Sequence, residues 1–530
     1  MTVIQTGVQR SPAVTLHQPD DQGSPWVAEV AGQYLRLGAD AGRLLASLDG
    51  RRPEDLAAQL GAPWTGSLVE EVLGKFEEAG LLHNGRANRH PARLRFCRPL
   101  TLQFVVVHDA ARFLRPVARI ARRVPSSTAI IAMATLVTSG LIALAAQSST
   151  LVHYLSAPVS PGPCATLVAA LIAANVAHEL SHAIALLVQG GRPSRLGFML
   201  FYLAPALFCD VSDAWRLPTR RGRVAVALAG PAMQFAAGAV ASLLATNVSG
   251  DVRWVLLMFS FASFFQGAVN LCPLLKLDGY IALMAWRDES FLRQHAMERA
   301  RAAIARVIFG GHLKPDGPDW LGWYGLGCLL APWFLVANGV IVVLSAIAGL
   351  GAVALGVAIA VVAVAAARIV LFSRSMWLSA RTSGSGLPRA VSGGLAVLAL
   401  ALLVMLIPVK SAVPAAWWVE GDTVRLALPK GFDANGLHPG QIVEMQRQGV
   451  ALRPEIGSAR VASTIVERRD VPVAALVPFT VDWTAQMRSV VLAGRAPDGT
   501  IGGPARIQRR ARPLARVVFD TLAGAAVGHR

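Results

Sequence analysis

Apolar residues fall into long unbroken runs in the middle of the chain and into short periodic clusters at both ends. The long runs lie at about 127–147, 164–189, 222–246, 253–273, 322–346, 348–372 and 391–410. Each approaches the ~20 residues that a helix needs to cross the hydrocarbon of a bilayer. They predict about seven membrane spans, the fifth and sixth joined by a tight hairpin at Gly349-Leu350-Gly351, with six spans as the alternative.

The ends follow other periods. Residues 1–25 are polar and predict disorder. From Trp26, WVAEVAGQYLRL has strand character, and ADAGRLLASLDG and RRPEDLAAQLG read as short helices closed by glycine. SLVEEVLGKFEEAGLL opens with a Ser67–Glu70 capping-box pattern and keeps helical apolar spacing. A strand and three short helices predict a small α+β, winged-helix-like domain over 26–90. In 100–126, Phe, Leu, Val and Ile interleave with Arg, above all from Ala111 to Arg123. That is the pattern of a basic amphipathic segment lying on a membrane surface. Beyond Val413, TVRLALP, QIVEMQRQGVAL and GSARVASTIVERR alternate apolar and polar positions between turn residues. They predict a small β-rich domain over 413–530. The fold class is mainly α, a polytopic membrane bundle with a small domain at each end.

Composition and charge agree with a membrane protein and orient it. Hydrophobic residues make up 54% and charged residues only 15% of the chain, against roughly 25% charged in soluble proteins. The net charge of +18 is unevenly spread. Loops 148–163 and 247–252 carry no Lys or Arg, whereas 190–222, 274–321 and 373–390 are rich in both. The positive-inside rule puts the N-terminus and the basic loops in the cytoplasm, requires an odd number of spans, and leaves the C-terminal domain outside. The basic charge then faces anionic lipid. No compact basic-aromatic domain points to nucleic acid. The first residues lack the apolar core of a cleavable signal peptide. The five cysteines form no CxxC pair and read as small hydrophobes, not a disulfide framework.

The second run carries His178, Glu179 and His182 in AANVAHELSHAIALLVQGG. Ionisable groups inside a span are costly and mark function. His178 and His182 are four residues apart and share one face of a helix, so both can reach one Zn²⁺. Glu179 beside them can serve as the base for a metal-activated water. The bland reading is a buried polar pair satisfied by neighbouring helices. A catalytic zinc needs a third ligand and an open position. FFQGAVNLCPLLKLDGYIAL breaks at Pro273 and offers Asp278, with Gly279 allowing a turn. Asp210 and Asp213 can orient the metal-binding side chains by hydrogen bonds, act as gate residues or be loop carboxylates, and the loop reading is favoured. Gly230-Pro231 reads as close helix packing. RLGFMLFYLAPALFCD, from Arg195 to Asp210, is too short and Pro-broken to span and predicts a re-entrant hairpin.

HELSH followed by N-x-x-P-x-x-x-L-D-G at Asn270 to Gly279 resembles the motif pair of the site-2 protease family of intramembrane zinc metalloproteases, over about residues 125–285. The resemblance implies zinc ligands at His178, His182 and Asp278, a catalytic glutamate at Glu179, and a substrate- or oxyanion-holding role for Asn270. It makes 127–290 the protease core and 291–412 additional spans. CPLLKLDGY and LFCDVSDAWRLPTRRGRVAVALAGP resemble segments of bacterial peptide zinc metalloproteases, which implies a bacterial inner or plasma membrane. Residues 26–90 resemble the precursor-peptide recognition domain of ribosomally made, modified-peptide pathways, which implies a leader peptide bound there by strand addition. The implied activity is removal of such a leader. Two alternatives stand beside it: a regulatory protease that cuts a membrane-anchored anti-sigma factor, and a non-enzymatic export or immunity adaptor with a metal site.

Overall fold

A computed structural model describes residues 8–82, 94–309, 318–347 and 408–508, with a few short breaks, and scattered positions elsewhere. The chain is mainly helical and divides into two compact units. One comprises Met1–Gly140, Ala170–Val240 and Ser260–Ser290; the other comprises Leu141–Ala169, Ala241–Phe259 and Phe291–Arg530.

The first unit begins with a three-stranded antiparallel sheet of β1 (Val14–His17), β2 (Trp26–Val30) and β3 (Gln33–Leu37), in that order. Three helices follow: α1 (Ala39–Ala46), α2 (Pro53–Leu60) and α3 (Gly66–Glu78). Leu44, Leu45, Leu56, Val69, Leu73, Phe76 and Leu81 form their shared core. Pro53 opens α2, and Gly61, at φ +71, ends it in a conformation that suits glycine. Gly42 lets α1 lie on Trp26, since a Cβ there would stand 2.1 Å from the indole.

Three expectations are corrected in this region. Disorder over 1–25 fails at Val14–His17, which pair with Val27–Val30 as β1. The single expected strand at Trp26 is a hairpin, β2 and β3. The cap of α3 is Thr65, whose hydroxyl accepts the Leu68 N–H at 3.3 Å, two residues earlier than the Ser67 pattern suggests.

A second sheet supports the membrane part of the unit. Its strands β4 (Leu94–Cys97), β5 (Thr101–Val107), β6 (Leu196–Phe201) and β7 (Ala204–Cys209) pair antiparallel in that order. The hairpin expected between Arg195 and Asp210 is therefore β6–β7. The surface segment expected over 100–126 is corrected in its first part, because Thr101–Val107 pair with β6. Only Ala110–Ala121 form the amphipathic helix, α4.

Among the described residues, four helices are long and apolar enough to cross a membrane: Ser126–Ala146, Pro161–Val188, Arg220–Asn247 and Gly250–Asn270. They contain α5 (Ser126–Ala146), α7 (Pro161–Val188), α8 (Arg220–Leu244) and α9 (Gly250–Asn270); α6 (Ser148–Leu155) lies between the first two. Small residues let these helices approach. A Cβ on Gly140 would lie 2.4 Å from Ala239, and Ser260 donates to the Gly238 carbonyl at 2.8 Å. After α9 come α10 (Asp278–Arg287), α11 (Leu292–Phe309) and α12 (Asp319–Ile347). The fifth expected span falls within α12; the two at 348–372 and 391–410 lie outside the described residues.

The β-rich C-terminal region belongs to the second unit. A short ribbon pairs β8 (Pro408–Val409) with β16 (Arg512–Pro513). Between them run β9 (Ala412–Glu420), β10 (Thr423–Ala427), β11 (Ile442–Gln446), β12 (Glu455–Val461), β13 (Glu467–Pro472), β14 (Thr484–Ala493) and β15 (Gly502–Gln508). Their order is β10-β9-β15-β11-β12-β14-β13, and β10 also pairs with β14. That pairing closes six strands into an antiparallel barrel and leaves β13 on its flank. Trp417, Leu426, Val443, Met445, Val490 and Ile507 fill the interior. Trp417 Nε1 donates to the Gln446 carbonyl at 3.1 Å, so the indole is buried with its polar group satisfied.

The same unit ties the barrel to the chain between the first two spans. The Leu155 carbonyl accepts the N–H groups of Ala451 and Leu452 at 3.1 and 2.9 Å. Val159 N–H donates to the Pro478 carbonyl at 3.0 Å, and Thr480 N–H donates to the Val159 carbonyl at 3.1 Å. Phe479 packs with Val159, Leu151, Trp254 and Leu257.

Candidate metal centre

The histidines sit on α7, a continuous helix in which residues four apart share a face. His178 and His182 are both buried, with 6% of each exposed. Their Nε2 atoms lie 3.2 Å apart. Asp278 arrives from the other side of the sequence gap. Its Oδ2 is 3.1 Å from His178 Nε2 and its Oδ1 is 3.5 Å from His182 Nε2. A tetrahedral Zn²⁺ bound at about 2.0–2.1 Å would hold its donors about 3.3 Å apart. The three groups thus match such an ion in donor type and in spacing, and they form the one metal-capable cluster found among the described residues.

The local sequence explains how each donor gets there. His182 Nδ1 lies 2.7 Å from the Val226 carbonyl on α8, which fixes the ring and leaves Nε2 as the lone-pair donor. His178 Nδ1 is buried with no such partner. Asp278 is the first residue of α10, and Leu277 holds the N-cap position without a side-chain cap. The Asp278 carboxylate therefore faces the imidazoles. Gly279 was expected to supply a turn, but its φ lies outside the left-handed region. It is needed for room: a Cβ there would stand 2.1 Å from the Leu271 carbonyl. Gly230 likewise faces both rings, with an added Cβ 2.3 Å from His182 Nε2 and 2.5 Å from His178 Cε1. The close packing expected at Gly230-Pro231 is, at Gly230, packing against the two imidazoles.

Glu179 follows His178 and turns to a cavity of about 250 Å³ that His182, Asp278, Cys209, Asp210 and Arg223 also line. Its Oε2 accepts the Cys209 N–H, at the end of β7, at 2.9 Å. Cys209 itself stays a thiol: burial, with help from the Glu179 and Asp210 charges, pushes it up to about 12. Asn270 ends α9 and donates to Gln234 Oε1 at 3.0 Å, outside the lining of that cavity. Gln266 and Asn175 form a second amide pair at 2.6 Å. None of Gly230, Gln234, Gln266 or the Cys209 N–H was singled out from sequence for this site. Only the apolar setting of the two Gln side chains signals them.

The two loop carboxylates prove to be tied into the chain around the site. Asp213 accepts the Arg192 N–H at 2.7 Å and pairs with Arg216 at 3.0 Å. Asp210 accepts from Ser194 Oγ at 2.9 Å, Arg195 Nη2 at 2.7 Å and Ser212 Oγ at 2.7 Å. It thereby joins the two ends of the β6–β7 hairpin. Burial alone would raise the Asp210 carboxyl, but hydrogen bonds from Ser212, Arg195 and Ser194, with the Arg195 charge, hold it below the usual range. A depressed carboxyl stabilises the fold at pH values above its unfolded pKa of about 3.9 and loses that contribution as pH falls through the folded value. Asp210→Asn is therefore expected to lower the melting temperature at pH 7, with the gap to wild type closing below about pH 4. A gap that stays constant across this range would show that the Asp210 charge contributes nothing.

Comparison with family models, with curated proteins and with solved structures found no match to this chain.

Proposed function

We propose that the chain is an intramembrane zinc metalloprotease of the site-2 type, and that it removes the leader of a ribosomally synthesised modified peptide. The observation that carries this reading is the convergence of His178, His182 and Asp278 with the Glu179 carboxylate beside them on the wall of one cavity. A structural metal site has no use for a neighbouring base. A Zn²⁺ held by the three donors would supply Lewis acidity to the scissile carbonyl and acidify a water.

The remaining steps belong to side chains and backbone. Glu179, positioned by the Cys209 N–H, takes the proton of the attacking water and passes it to the leaving amine. A peptide in a helix shields its own bonds, so the substrate must enter extended. β7 is the edge strand of its sheet and ends at the residue bonded to Glu179. Strand addition there would lay a peptide beside the base. Asn270 would help hold the substrate or the developing oxyanion, as the resemblance implies, and its bond to Gln234 fixes the end of α9 from which it reaches. The leader would dock on the 26–90 domain, where β1 and β3 are the outer strands. Co-expression with the short peptides encoded beside the gene tests the reading by mass. A truncated peptide with wild type, absent with Glu179→Gln, supports it. The same full-length peptide with both defeats it for those peptides.

The orientation also belongs to this proposal. The contacts of Leu155 and Val159 with the barrel require both segments to lie on one side of the membrane. Three spans, α7, α8 and α9, separate them from residue 271 onward. The chain from 271 to 412 must then cross an odd number of times. Three crossings, by α12 and the apolar sequence runs at 348–372 and 391–410, would meet this requirement, and we propose them for seven spans in all. In a background with the five native cysteines replaced, an impermeant maleimide is expected to label Asp422→Cys and Ser149→Cys from one face and Arg221→Cys from the other. Labelling of Asp422→Cys together with Arg221→Cys would refute seven spans.

A further inference from the structure

A second cavity lies away from the metal centre, where α4 meets the end of α7. It measures about 360 Å³ and is lined by Arg115, Arg119, Arg122 and Arg192 with Gly190 and Gly191. No acidic residue is part of this lining. Arg122 donates to the Leu187 carbonyl near the end of α7. Among the described residues, the side chains of Arg115, Arg119 and Arg192 pair with no carboxylate. Asp213 accepts only the backbone N–H of Arg192, and its other oxygen is held by Arg216. Four guanidiniums around one hollow repel each other unless an anion occupies it. The flat guanidinium fork matches phosphate oxygens bidentately, and several forks around one hollow can each take a pair of them.

The helix that carries two of these arginines, with Arg122 at its C-cap, has two other faces. Ala111 and Ala118 are buried against Leu187, with Leu114, Ile184 and Val188 around them. Phe113, Val117, Ile120 and Val124, spaced by four, three and four residues, form one exposed apolar stripe, with Phe113 70% and Ile120 66% exposed. Val124 is followed after one residue by the first membrane span. A helix with an inserted apolar stripe and a basic flank lies at the depth of lipid headgroups. Gly190, at φ +92, ends α7 and turns the chain so that Arg192 closes the far side of the hollow.

We infer that this cavity is a binding site for the phosphate of one anionic phospholipid. The arginines hold the headgroup, and the stripe of α4 lies among the acyl chains beside it. The site locks α4 to the end of the helix that bears His178 and His182. It depends on the membrane reading of the chain and not on its being a protease.

The test is native mass spectrometry of the full chain in detergent, titrated with phosphatidylglycerol or phosphatidylcholine. Wild type is expected to retain one phosphatidylglycerol and no phosphatidylcholine. Each basic group near an anionic surface is worth about fivefold in affinity. Arg115→Gln/Arg119→Gln should therefore weaken retention by roughly 25-fold. Arg112→Gln/Arg123→Gln removes the same charge from the same segment outside the cavity and should keep the lipid. Equal losses in the two double variants would mean diffuse surface attraction and would overturn the inference. So would displacement of the lipid by millimolar inorganic phosphate, which would make the site one for free phosphate. Melting curves of both variants identify a loss that is only unfolding. In that case the single variants Arg119→Gln and Arg123→Gln repeat the comparison with a fivefold expectation.

Discussion

Glu179→Gln is expected to stop peptide cleavage while the metal stays bound. The amide has the size and shape of the carboxylate, and its oxygen can still accept the Cys209 N–H that holds Glu179 at 2.9 Å. The three donors on His178, His182 and Asp278 are untouched by the change. What is lost is the ability to take a proton from water and return it to the leaving amine. Removing a positioned acid–base group costs about 10²–10⁴-fold in rate. Two readouts are needed together: product mass against time, and metal per chain by elemental analysis. Full metal with no product assigns the base. Wild-type turnover in the variant would remove Glu179 from the mechanism. Loss of metal along with turnover would make the glutamate a structural part of the metal site instead.

How much of this was legible before the structure differs from residue to residue. The grouping of His178, His182 and Asp278 is legible because a metal-capable donor set restricts residue type and spacing. Two imidazoles four residues apart share one face of a helix. The support around them is not legible, because it rests on atoms that every residue has. The N–H of Cys209 that positions Glu179 and the carbonyl of Val226 that orients His182 leave no trace in the sequence. β5 escaped for another reason. LQFVVV has no alternation, and the arginine-rich stretch after it suggested one continuous surface segment. Only pairing with β6, ninety residues on, makes it a strand. The β-rich tail shows the reverse case. Alternation along QIVEMQ and its neighbours gave the strands, but the pairing of β10 with β14 that closes the barrel is set by contacts between distant segments.

Gly230→Ala should have the largest effect on metal binding of any change outside the donors themselves. The new Cβ would lie 2.3 Å from His182 Nε2, 2.5 Å from His178 Cε1 and 2.6 Å from His178 Nε2. No Cβ sits so close to a ring, so either the imidazoles rotate or α8 backs away. Rotation spoils the convergence on Asp278. Retreat of α8 lengthens the 2.7 Å contact between His182 Nδ1 and the Val226 carbonyl, which lies one turn earlier on the same helix. Both routes damage the metal site. Loss of a partner that orients a ligand already costs about 10–100-fold in metal affinity, and the expectation for Gly230→Ala lies at or beyond the upper end. Gly267→Ala is the matched control, because the nearest atoms its Cβ would meet belong to the Phe235 ring, at 3.2 Å, which a small tilt relieves. Metal titration of both variants, with helix content checked by circular dichroism, separates the cases. Weak metal binding in Gly230→Ala with intact helices, beside normal binding in Gly267→Ala, places the imidazoles against α8. Normal binding in both would mean that His178 and His182 do not face Gly230 as closely as the 2.3–2.6 Å contacts require.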